Sequence, residues 1–88
     1  MSVSYDLVEV FSASWCSGCS VVKRALTTAG IPFVERDIDI PDIMEQAAQI
    51  GIRGIPVTRI LKGGEVVESI VGATPQAVSR IIEICGKE

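Results

Sequence analysis

The sequence predicts an α/β domain whose elements follow one another in the order βαβαββα. The apolar run Leu7 to Phe11 is typical of a buried strand. From about Ser17 to Ala29, apolar residues recur at helical spacing, and Gly30 suits the end of that helix. Further along, two apolar runs flank Gly63 and Gly64, and such a glycine pair is the signal of a tight hairpin. A strand–helix–strand unit followed by a hairpin indicates a mixed sheet covered by helices.

The remaining elements complete a four-stranded mixed sheet flanked by three helices. The first two strands are joined by a helix and are expected to be parallel with a right-handed crossover, whereas the last two are expected to be antiparallel. Prolines suit the first positions of the second and third helices. The predicted bounds are Ile31 to Ile38 for the second strand, Pro41 to about Ile50 for the second helix, Val57 to Leu61 and Val66 to Val71 for the hairpin, and Pro75 for the start of the last helix.

Composition and charge exclude several classes of function. The 88 residues carry a net charge of -3, and basic residues occur singly or as the pair Lys23–Arg24, so no nucleic-acid surface is expected. No apolar run approaches the roughly 18 residues that span a bilayer, so no membrane segment is expected either. Met1 to Asp6 show no export signal, which predicts a cytoplasmic location. We expect a single domain over residues 1–88, present as a monomer.

Two of the three cysteines form the motif Cys16-Ser17-Gly18-Cys19, and the chain has no histidine. A structural zinc site needs four ligands, and an iron–sulfur cluster fails on the same count unless two chains share it. A Cys-x-x-Cys pair beside a βαβ pattern is instead typical of thiol–disulfide redox chemistry. A metal shared between chains and a purely structural pair are the open alternatives. The acidic residues lack a chelating pattern and are interpreted as a solvated edge without metal: Glu35, Asp37, Asp39 and Asp42.

The predicted start of the first helix gives the two cysteines different roles. A thiolate is the attacking species in disulfide exchange, and the helix dipole and free N–H groups at a helix N-terminus stabilise its charge. Cys16 lies at that end and is the predicted nucleophile. Cys19 follows one turn later, faces more into the protein, and resolves the mixed disulfide. Ser17 and Gly18 form the active-site turn, and Lys23 is interpreted as a solvated side chain.

Three residues outside the cysteine motif carry further predictions: Trp15, Pro56 and Cys85. Trp15 lies in a short connection directly before Cys16, so we expect it to be partly exposed beside the sulfur. Pro56 stands at the mouth of a strand, and the residues alone predict a trans Ile55–Pro56 bond, because only about 5–6% of such bonds in folded proteins are cis. Cys85 lies on the apolar stripe of the last helix and is interpreted as a small buried hydrophobic residue.

Four segments make the sequence resemble the thioredoxin family. They are Trp15 to Cys19, Gly51 to Pro56 (Gly-Ile-Arg-Gly-Ile-Pro), Lys62 to Val66 (Lys-Gly-Gly-Glu-Val) and Val71 to Ala73 (Val-Gly-Ala). Their order and spacing agree with the family from about Leu7 to the end of the chain. The resemblance implies a thioredoxin fold and a thiol–disulfide oxidoreductase that reduces protein disulfides, with roles in electron transport and cell redox homeostasis.

The resemblance also implies a substrate site and a recycling partner. Pro56 is expected to be cis and close to both sulfurs. A shallow apolar groove for substrate proteins is expected to be bordered by Trp15, Ile55, Pro56, Val71, Gly72 and Ala73. Reduced Cys16 attacks a protein disulfide and leaves a redox-active Cys16–Cys19 disulfide, with no bound cofactor. A flavoprotein thioredoxin reductase that uses NADPH is the implied partner.

Three departures from the family pattern qualify this resemblance. Met1 to Asp6 offer no counterpart of the extra N-terminal strand and helix of thioredoxins, so the core is glutaredoxin-sized. Ser17 and Gly18 replace the usual Gly-Pro pair, and we expect a looser turn and a less reducing couple. Val10 takes the place of a buried aspartate that helps to deprotonate the second cysteine, and strand alternation directs the adjacent Glu9 to the opposite face.

Two other functions are alternatives to a thioredoxin-type reductase. A glutathione-linked glutaredoxin is favoured by the short core. The segment Gly72-Ala73-Thr74-Pro75 argues against it, because glutaredoxins usually carry a Gly-Gly turn and an acidic residue there. A non-catalytic module that holds a partner protein in the groove between Trp15, Pro56 and Ala73 is the second alternative, since fold does not fix function.

Overall fold

A computed structural model describes residues 4–86, and its elements follow the predicted order. The strands are β1 (Leu7–Ser12), β2 (Val34–Asp37), β3 (Val57–Lys62) and β4 (Glu65–Val71), and the helices are α1 (Ser17–Thr28), α2 (Pro41–Gln49) and α3 (Pro75–Cys85). The four-stranded sheet has the order β2-β1-β3-β4. β1 pairs with β2 in parallel and with β3 in antiparallel fashion, and β3 and β4 form an antiparallel hairpin. The predicted fold class and strand directions are confirmed.

The two faces of the sheet carry separate apolar clusters. The larger cluster lies beneath α1 and α3, and its members include Val10, Leu26, Ile60 and Ile81. The smaller one joins Phe11 and Val57 of the sheet to Ala47 of α2. Successive residues of β1 therefore point to different helices, as strand alternation requires. Val10 faces the α1 and α3 layer, whereas Phe11 faces α2.

β2 is shorter than predicted, because the backbone N–H groups of its expected first residues are not available for pairing with β1. The Ile31 N–H donates to the Leu26 carbonyl at 2.9 Å, which closes the C-terminal end of α1. Pro32 has no N–H to give to a strand ladder. The ladder with β1 runs only from the pair Glu9–Val34 to the pair Ser12–Asp37. The prediction of a strand beginning at Ile31 was wrong, although the Ile31 side chain is buried as expected.

The hairpin between β3 and β4 forms at the predicted glycine pair. Gly63 and Gly64 both have positive φ angles, 58° and 85°, which residues with a side chain rarely adopt. Two such residues in succession are typical of the hairpin turns that match the twist of the strands. The Asp6 carboxylate accepts the Gly63 N–H at 2.9 Å and ties the segment before β1 to this turn.

Some expectations concern the start of the chain or its location. Across residues 4–86, no helix combines the length and the apolar character that crossing a membrane requires. The expectations placed on Met1 to Asp6 lie partly outside the described residues, which begin at Ser4. The absence of an export signal and the cytoplasmic location therefore stay predictions.

Candidate active site

The two cysteines of the motif meet at the N-terminus of α1. Cys16 caps the helix: its backbone is extended, and its Sγ accepts the Cys19 N–H at 3.2 Å. The two Sγ atoms are joined in a disulfide, with the Cα atoms 5.3 Å apart. Cys16 is half-buried, whereas Cys19 is completely buried. The pair thus has one sulfur that solvent can reach and one that lies behind it.

The backbone around Cys16 explains why the helix begins there. The Cys16 N–H donates to the Ala13 carbonyl at 3.2 Å and closes a turn after β1. The Cys16 carbonyl then accepts the Ser20 N–H at 3.3 Å, which starts the helical ladder. The first turn of α1 carries no acidic side chain, so the positive end of the helix dipole is not offset there. Negative charge on the Cys16 sulfur is therefore stabilised by the local backbone.

The Ile55–Pro56 segment lies against this turn. The peptide bond before Pro56 is cis, as the resemblance implied and against the prediction from the residues alone. The Ile55 carbonyl oxygen is 4.0 Å from the Cys16 Sγ. A Cβ atom at position 18 would lie 3.4 Å from the Ala73 Cβ and 3.5 Å from the Pro56 Cδ. Position 18 thus lies between the proline segment and the turn after β4, and a side chain there would make ordinary van der Waals contact with both.

The turn after β4 completes the surroundings of the two sulfurs. The Gly72 N–H donates to the Pro56 carbonyl at 2.9 Å, and Gly72 has a φ angle of 94°, which favours glycine. Val71, directly before it, pairs with Val57 at the start of β3 and is 71% exposed. Trp15 is 68% exposed, which confirms the predicted exposure of this side chain. The segments predicted to form a groove are therefore neighbours in the fold.

Asp39 is a neighbour of this region that the sequence did not point to individually. The Trp15 indole donates its Nε1 hydrogen to the Asp39 carboxylate at 3.0 Å. The Asp39 backbone N–H in turn donates to Asp37 Oδ1 at 2.9 Å, which fixes the turn that carries Asp39. The contact holds the exposed indole over the loop that precedes α2. The only sequence signal was the position of Asp39 among the acidic residues of that loop.

The Lys23 side chain is part of an ion pair rather than simply solvated. Its Nζ donates to Glu35 Oε2 at 2.6 Å, and the Ser12 hydroxyl donates to the same oxygen at 2.7 Å. These two hydrogen bonds hold the pKa of Glu35 below its usual value. The Lys23 charge is thereby compensated by Glu35, and its contribution to the potential at Cys16 is reduced.

Val10 and Thr58 are neighbours on the face of the sheet that α1 and α3 cover. Both are fully buried, and β1 and β3 pair them directly. Glu9 points to the other face, as predicted, where its carboxylate forms ion pairs of 3.3 Å with Arg36 and Arg59. The Thr58 hydroxyl has no hydrogen-bond partner among residues 4–86. Sequence reasoning missed Thr58. Its signal is the alternation of β3, which places Thr58 on the same face as Ile60.

Cys85 and the acidic residues lie apart from the disulfide. Cys85 is buried among the residues beneath α3, as predicted, and burial raises the pKa of its thiol to about 11. Across the part of the chain that the structure describes, no three metal-binding side chains come together. The Cys16–Cys19 pair is thus the reactive centre that the geometry offers.

Comparison with known proteins identifies the family of the chain. A family model described as Glutaredoxin matches residues 8–67. A thioredoxin of Aspergillus fumigatus is 33% identical over 79 residues, which cover 82% of this chain and 70% of that protein. The chain belongs to the thioredoxin family. A thioredoxin of Streptomyces clavuligerus is 36% identical over 70 residues, covering 76% of this chain but only 65% of that relative.

Solved structures of the family share this fold. The structure of Malassezia sympodialis thioredoxin matches with a TM-score of 0.68 and 27% sequence identity. The match covers 88% of this chain and 71% of that protein. The glutaredoxin-like NrdH-redoxin from Escherichia coli has a TM-score of 0.67 and 25% identity, with 86% of this chain covering 95% of that protein. Together with the Cys16–Cys19 pair, these relatives support a thiol–disulfide oxidoreductase.

Proposed function

We propose that the chain is a protein-disulfide reductase of the thioredoxin type, with Cys16 as the nucleophile and Cys19 as the resolving cysteine. The observation that carries the proposal is the asymmetry of the pair. Cys16 is half-buried, caps α1, and its Sγ accepts the Cys19 N–H, so its thiolate is both accessible and stabilised. Cys19 is completely buried, so a substrate reaches Cys16 first.

The reaction proceeds in two exchanges. The Cys16 thiolate attacks one sulfur of a substrate disulfide, a Cys16–substrate bond forms, and the other substrate sulfur leaves as a thiolate that takes up a proton. The Cys19 thiol then loses its proton, and its thiolate attacks the Cys16 Sγ. The Cys16–Cys19 bond forms as the Cys16–substrate bond breaks, and the second substrate sulfur leaves and is protonated. Two electrons have passed from the cysteine pair to the substrate. The two protons that the substrate thiols take up from water balance the one that Cys19 releases to water and the one released earlier when the Cys16 thiol ionised.

The substrate binds over the apolar edge beside Cys16. Trp15 and Val71 are large apolar side chains that stay exposed there, and Gly72 and Ala73 leave room between them. The Ile55 carbonyl next to the Cys16 Sγ offers a backbone acceptor to an extended substrate segment. Such pairing positions a peptide by its main chain, independently of its sequence. This arrangement suits a reductase that accepts several unfolded or flexible protein disulfides.

Recycling by a flavoprotein thioredoxin reductase with NADPH is part of the proposal. The Escherichia coli NrdH-redoxin structure is titled as the basis for the thioredoxin-like activity profile of a glutaredoxin-like protein, and this chain covers 95% of it. A chain of glutaredoxin size is therefore sufficient for thioredoxin-like activity in that protein. We propose that the Cys16–Cys19 pair carries the electrons itself, without a bound cofactor.

A coupled assay tests the proposal. The protein, a thioredoxin reductase, NADPH and insulin are mixed, and NADPH oxidation is followed. We expect oxidation that depends on all components and that is abolished in Cys16→Ser, while Cys85→Ser serves as the matched control for loss of a cysteine outside the site. NADPH oxidation that continues at the parent rate in Cys16→Ser would contradict the proposal.

A glutathione-linked glutaredoxin is the second candidate, and the match of residues 8–67 to the Glutaredoxin family model favours it. Glutathione, glutathione reductase and NADPH replace thioredoxin reductase in the same assay, with a small mixed disulfide as substrate. Turnover in this system and none with thioredoxin reductase would select the second candidate over the first.

A further inference from the structure

Thr58 is a fully buried residue of β3 whose hydroxyl has no hydrogen-bond partner among the described residues 4–86. It pairs with Val10 of β1 and with Ile70 of β4. Both partners belong to the apolar cluster beneath α1 and α3, so the Thr58 side chain points to that face as well. Buried hydroxyl groups are nearly always hydrogen-bonded, so an unpaired one calls for an explanation.

Pro56, the residue directly before β3, lies against the first turn of α1, where Cys19 is buried. The Pro56 Cδ lies 3.5 Å from the position of a Cβ at residue 18, and two residues later strand alternation returns Thr58 to the face of Pro56. The buried side of α1 begins with Cys19 and continues through Val22 and Leu26. Thr58 and Cys19 are thus both buried between the sheet and α1. Ser12 is also fully buried on this face, but its hydroxyl already donates to Glu35 at 2.7 Å.

We propose that Thr58 is a positioning residue that hydrogen-bonds the Cys19 sulfur when the disulfide is open, an inference that rests on the proposed function. A hydroxyl can both donate and accept. In the dithiol form the Cys19 S–H donates to the Thr58 Oγ1. After that proton has passed to solvent, the Thr58 O–H donates to the Cys19 thiolate. The thiolate then attacks the Cys16 Sγ, the Cys16–Cys19 bond forms, and the substrate sulfur leaves and takes a proton from water.

The proposal explains why the hydroxyl is unpaired in the structure. Cys19 is bonded to Cys16 in this form, so it has no S–H to donate, and a disulfide sulfur is a much weaker acceptor than a thiolate. Val10, the direct neighbour of Thr58 in the sheet, has no polar atom that could take the same part. The hydroxyl thus stabilises the dithiol relative to the disulfide, and its removal should favour the disulfide.

The test measures the equilibrium constant between the protein dithiol and its disulfide in dithiothreitol buffers. Samples are quenched in acid and alkylated, and mass spectrometry gives the fraction of each form. Thr58→Val keeps the shape and removes the hydroxyl. Loss of one buried hydrogen bond predicts about a tenfold shift toward the disulfide, which is about 30 mV more negative for a two-electron couple. Thr58→Ser keeps a hydroxyl, and Thr28→Val makes the matched change on the exposed end of α1. Both should stay within about twofold of the parent protein.

A purely structural role for Thr58 would stabilise or destabilise both redox forms alike and leave the constant unchanged. An unchanged constant in Thr58→Val, or an equal shift in Thr58→Ser, would overturn the proposal. Far-UV circular dichroism checks the fold of each variant, and Thr58→Ala should move the constant in the same direction as Thr58→Val. The measurement reads the cysteine pair itself, so its outcome does not depend on which protein disulfide or reductase serves as partner.

Discussion

Replacing Val71 by threonine tests the proposed substrate groove. Val71 is 71% exposed beside the site, and burying a valine completely stabilises an interface by about 1.5–3 kcal/mol. A docked substrate that covers the exposed part would therefore gain about 1–2 kcal/mol from this side chain. Threonine keeps the β-branched shape, so the strand is preserved, but it places a hydroxyl against the substrate. A loss of about 1.4 kcal/mol corresponds to a tenfold lower kcat/KM.

The assay is insulin reduction at limiting substrate with the protein recycled by thioredoxin reductase and NADPH. Val66→Thr is the matched control, because Val66 lies on the same strand, is 41% exposed, and is at the other end of β4. We expect about a tenfold loss in Val71→Thr and no loss in Val66→Thr, with unchanged reduction of both variants by dithiothreitol. Equal kcat/KM values in the two variants would refute the assignment of Val71 to the groove.

Two further predictions follow from the titrating groups. The hydrogen bonds from Lys23 and Ser12 lower the pKa of Glu35 from its ordinary value of 4.5, so this carboxylate stabilises the folded state fully above pH 4.5 and loses that effect as the pH falls through the lower folded pKa. The free energy of unfolding, measured in urea between pH 6 and 3, should therefore fall less steeply in Glu35→Gln. Burial raises the pKa of Cys85 to about 11, so the Cys85 thiol of the oxidised protein should resist iodoacetamide at pH 8 until the protein is unfolded.

Each of these two predictions has a clear contrary result. Identical pH profiles of the parent and Glu35→Gln would mean that solvent already screens the contact of this exposed carboxylate with Lys23. Alkylation of Cys85 at the same rate in native and denaturing buffer would mean that its burial does not protect it. Mass spectrometry after timed quenching distinguishes these outcomes for Cys85.

Local sequence signals predicted most of the fold and the reactive pair. The spacing of apolar residues in α1 and the glycine pair of the hairpin depend on neighbours in the chain, so the bounds of these elements were nearly correct. The start of β2 was not predictable in this way. The Ile31 N–H could join a strand or close α1, and the sequence does not show that it bonds to Leu26.

Features that depend on strand register could not be read from the sequence. Thr58 faces α1 and α3 because β3 pairs it with Val10, and this pairing links residues far apart in the chain. The contact of Trp15 with Asp39 likewise joins two loops. The cis bond before Pro56 was predicted from the resemblance to thioredoxins and not from the residues, because base rates favour trans.

The separate roles of Cys16 and Cys19 are the central claim, and trapping of mixed disulfides tests it most directly. Each cysteine is replaced by serine in turn, and the reduced variants are incubated with a protein disulfide and analysed by non-reducing electrophoresis and mass spectrometry. We expect Cys19→Ser to accumulate a stable adduct through Cys16, because the resolving thiol is gone, and Cys16→Ser to form none. An adduct that accumulates through Cys19 in Cys16→Ser, with none in Cys19→Ser, would contradict the claim.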